Sequence, residues 1–134
     1  MKYSIKASSL SKQDASISIK KSTIKFGTTQ LTSEVLPNPA ELFLSAFGAC
    51  ILKNVERFST LLKFRYSSAF ITVSGTRQEV PPKMDIIEYQ LTIYSNDDTL
   101  NKDLLKKNIE KFGTIFNTVN ASCSVIGVIL VKKE

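Results

Sequence analysis

The stretch NPAELFLSAFGAC, Asn38 to Cys50, decides how the rest of the chain is read. Asn is a preferred N-cap because its side-chain oxygen accepts a free amide of the first helical turn, and Pro39 stands at the first helical position, where an amide donor is not needed. Glu41, three residues after the cap, completes a capping-box pattern. Leu42, Phe43, Leu44, Ala46, Phe47, Ala49, Ile51, Leu52, Val55 and Phe58 then leave little room for a polar face, and the pattern becomes amphipathic only after Lys53. A helix that is apolar nearly all round is a buried one. The spacing therefore predicts a buried central helix running to about Ser59 and carrying Cys50, one of two cysteines in the chain.

Before this helix the sequence alternates as strands do. Tyr3, Ile5 and Ala7 alternate with polar residues, Ser11 to Asp14 offers a turn, Ala15, Ile17 and Ile19 alternate again, and Ile24 and Phe26 close a third run before Gly27. Thr28 to Leu36 reads as a loop. After the helix, Ala69 to Arg77 and Ile86 to Tyr94 read as a long hairpin broken by Pro81 and Pro82. Leu100, Leu104, Leu105, Ile109 and Phe112 mark a second, amphipathic helix that Gly113 terminates, and Val125 to Val131 is a last strand. The order is βββ-α-ββ-α-β, an α+β fold with antiparallel sheets around the central helix.

With 134 residues and no linker or repeat, the chain is expected to form a single domain over residues 1–134. Nothing approaches the roughly 20 apolar residues of a bilayer span, and MKYSIKASSL lacks the apolar centre of a secretory signal, so a cytoplasmic protein without membrane partners is expected. Two cysteines are no disulfide framework. There is no histidine, which removes Cys-His and Ser-His-Asp catalysis together with the commonest zinc ligand, and no metal or cofactor is expected. The net charge of +6 is uneven: residues 1–78 hold 11 Lys and Arg against 4 acids, residues 79–134 hold 7 against 8. The early lysines alternate with apolar residues as solvent faces of strands do and form no basic tail, which argues against nucleic acid as a partner.

On helical spacing Cys50 shares its surroundings with Phe43, Ala46 and Phe47 on one side and with Lys53, Asn54 and Arg57 on the other. Cations favour the thiolate and apolar burial favours the thiol, so the two borders pull in opposite directions. Read locally, Cys50 also fits a small apolar core residue, Glu41 a helix cap, and Lys53 and Arg57 a solvated helix end that complements the macrodipole.

The same residues resemble the central-helix signature of the OsmC/Ohr family, in which an Asn-Pro or Ser-Pro start, Glu residues and an apolar run lead to a reactive cysteine. The element order, the Pro-Pro break after TRQE and the segment KNIEKFGTIFNTV before the closing strand are similar as well. The resemblance implies an intertwined homodimer and a thiol-dependent peroxidase of the oxidative stress response. Cys50 would be the peroxidatic residue, with Glu41 as its acidic partner; Phe43, Ala46, Phe47 and Asn54, which helical spacing sets around Cys50, are the candidate pocket. Attack of the thiolate on the O–O bond would leave a sulfenic acid.

Two features depart from the family. Its resolving cysteine falls at or next to Gly113, where the sequence reads KFGTIF; Cys123 comes ten residues later, and a packed strand or loop position suits it better than a resolving role. The family's peroxide-orienting arginine lies before the helix, whereas the first arginine here is Arg57. Lys20, Lys21 and Lys25, or Lys53 and Arg57, remain to stabilise a thiolate, though a lysine cannot copy the planar arginine fork. Ala40 also fills one of the two places where the family has Glu. The expected function is thus a redox protein reducing organic or hydrogen peroxide through Cys50 with an external thiol as reductant. The alternative is a divergent member without turnover that binds an amphiphile, a disulfide or a cofactor thiol beside Cys50.

Overall fold

In the computed structural model, which describes residues 1–134, the early alternation becomes an antiparallel meander of β1 (Lys6–Ser9), β2 (Ala15–Ile19) and β3 (Ser22–Phe26). Ile19 pairs with Ser22, so Lys20 and Lys21 make a two-residue turn, with Lys20 in the left-handed region at φ 53°. Strand β1 starts later than the alternation suggests, and Tyr3 and Ile5 are exposed ahead of it. The loop after β3 contains a single 3-10 turn, Gln30–Thr32. It is tied down by one carboxylate oxygen. Asp14 Oδ1 accepts from the Thr28 and Thr29 amides at 3.1 and 3.3 Å and from the Thr29 and Thr32 hydroxyls at 3.1 and 2.7 Å.

Helix α1 (Pro39–Leu61) begins as the capping box requires: Glu41 N–H donates to Asn38 Oδ1 at 2.8 Å, and Asn38 N–H donates to Glu41 Oε1 at 3.1 Å. The chain divides into two compact units, residues 1–43 and 44–134.

In the second unit β4 (Ser68–Gln78) and β5 (Lys83–Tyr94) form the expected hairpin, with an irregularity at Thr76 and Arg77. Helix α2 (Lys102–Phe112), capped by Asn101, and a short α3 (Thr114–Asn120) lead to β6 (Ser124–Lys132). The sheet order is β4-β5-β6. The expectation of antiparallel sheets holds for the other pairings but is corrected for β6, which runs parallel to β5. Parallel neighbours need a long crossover, and α2 with α3 supplies it.

Ile87, Tyr89, Leu91 and Ile93 alternate toward one face of β5 and are buried with Phe47, Ile51, Val55 and Phe58 of α1, Leu105 and Ile109 of α2, and Phe116 and Val119 of α3. Helix α1 approaches the sheet closely at Gly48, where a β-carbon would already touch Val73 at 3.4 Å. A second close approach lies across β5 and β6: the Tyr89 ring covers Gly127, and a β-carbon there would fall 2.0 Å from a ring carbon. The reading of α1 as buried all round is corrected to one buried stripe. Ala46 and Ala49 are exposed, and Phe43 is 38% exposed, because a single chain supplies core on one side of the helix only.

Candidate functional site

Cys50 sits in the middle of α1, half-buried, with a free thiol. Its sulfur points to the junction of α2 and α3. There Gly113 ends α2 with an extended conformation (φ −76°, ψ 116°) rather than a left-handed one, and its N–H bonds to Ile109 O at 3.1 Å. The glycine answers to crowding. A β-carbon at this position would lie 2.9 Å from Ile109 O, 3.0 Å from Phe116 Cβ and 3.2 Å from Cys50 Sγ.

Asn54, one turn further along α1, is buried at 8% exposure. Its Nδ2 donates to Cys50 O at 2.9 Å and to Cys50 Sγ at 3.7 Å, within reach for a sulfur acceptor. Sequence spacing groups Asn54 with the pocket but leaves its contact with the thiol unread; the i, i+4 separation from Cys50 is the signal that carries it.

The other expected site residues are placed differently. Phe47 is fully buried and packs against Tyr89 and Phe116, with ring centroids 6.0 and 5.7 Å apart, so it belongs to the aromatic core. The Glu41 carboxylate accepts the Asn38 amide at the start of its own helix. Lys53 and Arg57 are exposed, and the Arg57 guanidinium lies 5.3 Å over the Phe58 ring. Lys20, Lys21 and Lys25 lie on the β2–β3 hairpin of the first unit, all exposed. Cys123 is buried just ahead of β6, its thiol donating to Met84 O at 3.3 Å.

Beside this region Tyr89 is buried and its hydroxyl donates to Glu110 Oε2 at 3.3 Å, while Glu110 also accepts from Lys106 at 3.0 Å. Burial first, and then the Glu110 charge, push the Tyr89 phenol well above its ordinary value, so it stays a neutral donor. What the arrangement offers chemically is one free thiol on a half-buried cysteine, within reach of an amide donor and facing a glycine.

A family profile described as OsmC-like protein matches residues 31–126, which include α1 with Cys50 and the α2–α3 junction. The chain belongs to the OsmC family. No curated protein matches it by sequence. Among solved structures, the OsmC-like protein from Mycoplasma pneumoniae superposes with a TM-score of 0.86 at 14% identity, covering 98% of this chain and 97% of its own. An OsmC-like protein of unknown function from Vibrio cholerae gives 0.83 at 11% identity, covering 97% and 99%. The organic hydroperoxide resistance protein OhrB of Bacillus subtilis gives 0.62 at 14% identity, covering 97% and 98%. The mixed α+β architecture is that of these OsmC proteins. No helix of this member is long and apolar enough to cross a membrane.

Proposed function

We propose that this OsmC protein is a one-cysteine thiol peroxidase. Cys50 thiolate attacks a peroxide O–O bond, the leaving oxygen departs as an alcohol or water, and the sulfur becomes a sulfenic acid. An external thiol then condenses with the sulfenic acid, releasing water and forming a mixed disulfide, and a second thiol restores Cys50 as its own disulfide leaves. The carrying observation is that the Cys50 sulfur faces position 113 and finds glycine, with Cys123 engaged at Met84 O. The likeness to OhrB of Bacillus subtilis, an organic hydroperoxide resistance protein, supports peroxide as the substrate class.

The active form in this reading is an intertwined homodimer. Its support is the apolar surface one chain leaves open: Phe43 on α1, and Ile126 and Val128 on β6 at 55% and 49% exposure.

The test is turnover of cumene hydroperoxide with dithiothreitol as the supplied thiol. Continuous consumption that is abolished in Cys50→Ser and retained in Cys123→Ala supports the reading. Binding of small disulfides or amphiphiles without any consumption would replace it by the alternative, a member that has kept the fold and given up turnover.

A further inference from the structure

Asn54 stands where the apolar stripe Phe47, Ile51, Val55, Phe58 would accept a leucine. Asn is a poor helix former, and a buried amide is costly unless it is bonded. Its amide nitrogen donates to one residue, Cys50: to the carbonyl oxygen at 2.9 Å and to the sulfur at 3.7 Å. A sulfur anion accepts such a bond more strongly than a neutral thiol does.

No hydrogen bond joins a charged side chain of α1 or α2 to the Cys50 sulfur. On α1, Lys53 is exposed and Arg57 lies over Phe58; on α2, Lys111 lies over Phe112 at 5.2 Å and Glu110 is held by Lys106 and Tyr89. The one hydrogen bond to the Cys50 sulfur is from Asn54.

We propose that Asn54 is a positioning residue for Cys50, holding the sulfur toward the α2–α3 junction and favouring its thiolate with a neutral donor. This rests on the reading of Cys50 as the reactive thiol and adds the group that tunes it.

The test is alkylation of Cys50 by iodoacetamide in the full chain, followed by peptide mass across neutral to alkaline pH, for the unsubstituted protein, Asn54→Leu and Asn54→Asp. Thermal melting verifies that each variant is folded. The expected result is alkylation about tenfold slower in Asn54→Leu at about pH 7, the scale of one hydrogen bond to a charged acceptor. Asn54→Asp should be slower again, because a carboxylate then faces the sulfur. The Asn54→Leu deficit should vanish near pH 10, where an ordinary thiol is ionised without help. Equal rates at every pH would overturn the proposal, and so would a deficit of the same size at every pH, which would mean that Asn54 shapes access alone. Should the aspartate variant fail to fold, the leucine variant, which continues the apolar stripe, carries the test. Alkylation uses no peroxide, so an absence of peroxide turnover would count against the proposed function and leave this result standing.

Discussion

A β-carbon at position 113 would lie 3.2 Å from the sulfur of Cys50, so a thiol carried by residue 113 would stand against that sulfur. In a disulfide the β-carbon of one cysteine lies about 3 Å from the sulfur of the other, given the S–S bond length. Gly113→Cys should therefore give, on mild oxidation, a disulfide between Cys50 and the introduced thiol, read as the loss of two hydrogens by intact mass and absent in a Cys50→Ser background. The side chain also meets Ile109 O at 2.9 Å and Phe116 Cβ at 3.0 Å. Gly113→Ala, with the same crowding and no bond to gain, should cost about 1–3 kcal/mol in urea unfolding.

Gly127 and Tyr89 make a second such pair, this time for stability. Gly127→Ala puts a methyl group into the Tyr89 ring and should cost about 3 kcal/mol, seen as a lower urea midpoint at unchanged slope. Tyr89→Phe keeps the ring and removes only the hydroxyl bond to Glu110, so its cost should be about 1 kcal/mol. Equal losses in the two variants would mean that the close packing of ring on glycine has been overvalued.

Acid should loosen the first unit through Asp14. The Thr32 hydroxyl chiefly, with lesser help from Thr28 and Thr29, holds its carboxyl below the ordinary 3.8 against the opposing effect of burial. The folded state then binds the proton more weakly than the unfolded chain. The contribution is full above the unfolded value and is lost as pH falls below 3.8 through the folded one. Urea midpoints of the unsubstituted chain and Asp14→Asn should differ at neutral pH and converge in acid. Parallel curves would show that the carboxylate charge is not what the loop uses.

The chain mass of 14.9 kDa gives a direct reading of assembly. Sedimentation at micromolar concentration should return twice that mass, and Phe43→Glu should shift the protein toward the monomer. A monomeric mass for the unsubstituted chain would remove the homodimer from the proposed function.

Much of this fold is legible in the sequence. The Asn38–Glu41 capping box, strand β2 and the hairpin of β4 and β5 obey local rules, and each forms as its residues direct. The parallel course of β6 was hidden because alternation is the same in both directions; the informative sign was the helical crossover between β5 and β6. Helix α3 was missed because TIFNTVN is rich in β-branched residues and asparagine, weak helix formers that Phe116 and Val119 hold in place by packing. The exposed side of α1 was not legible either, since an apolar pattern states that a face wants cover without stating which chain provides it. At the candidate site, the resemblance to the family points to Gly113, whereas the amide contact of Asn54 with the Cys50 sulfur needs side-chain geometry.

The measurement closest to the central claim is a single-turnover titration of the reduced protein with cumene hydroperoxide and, separately, hydrogen peroxide, following free thiol and intact mass beside a Cys50→Ser control. Rapid loss of one thiol at near-stoichiometric peroxide, with a sulfenic acid trapped at Cys50 and Cys123 still reduced, is the predicted result. Oxidation of Cys50 no faster than that of a free small thiol would contradict it.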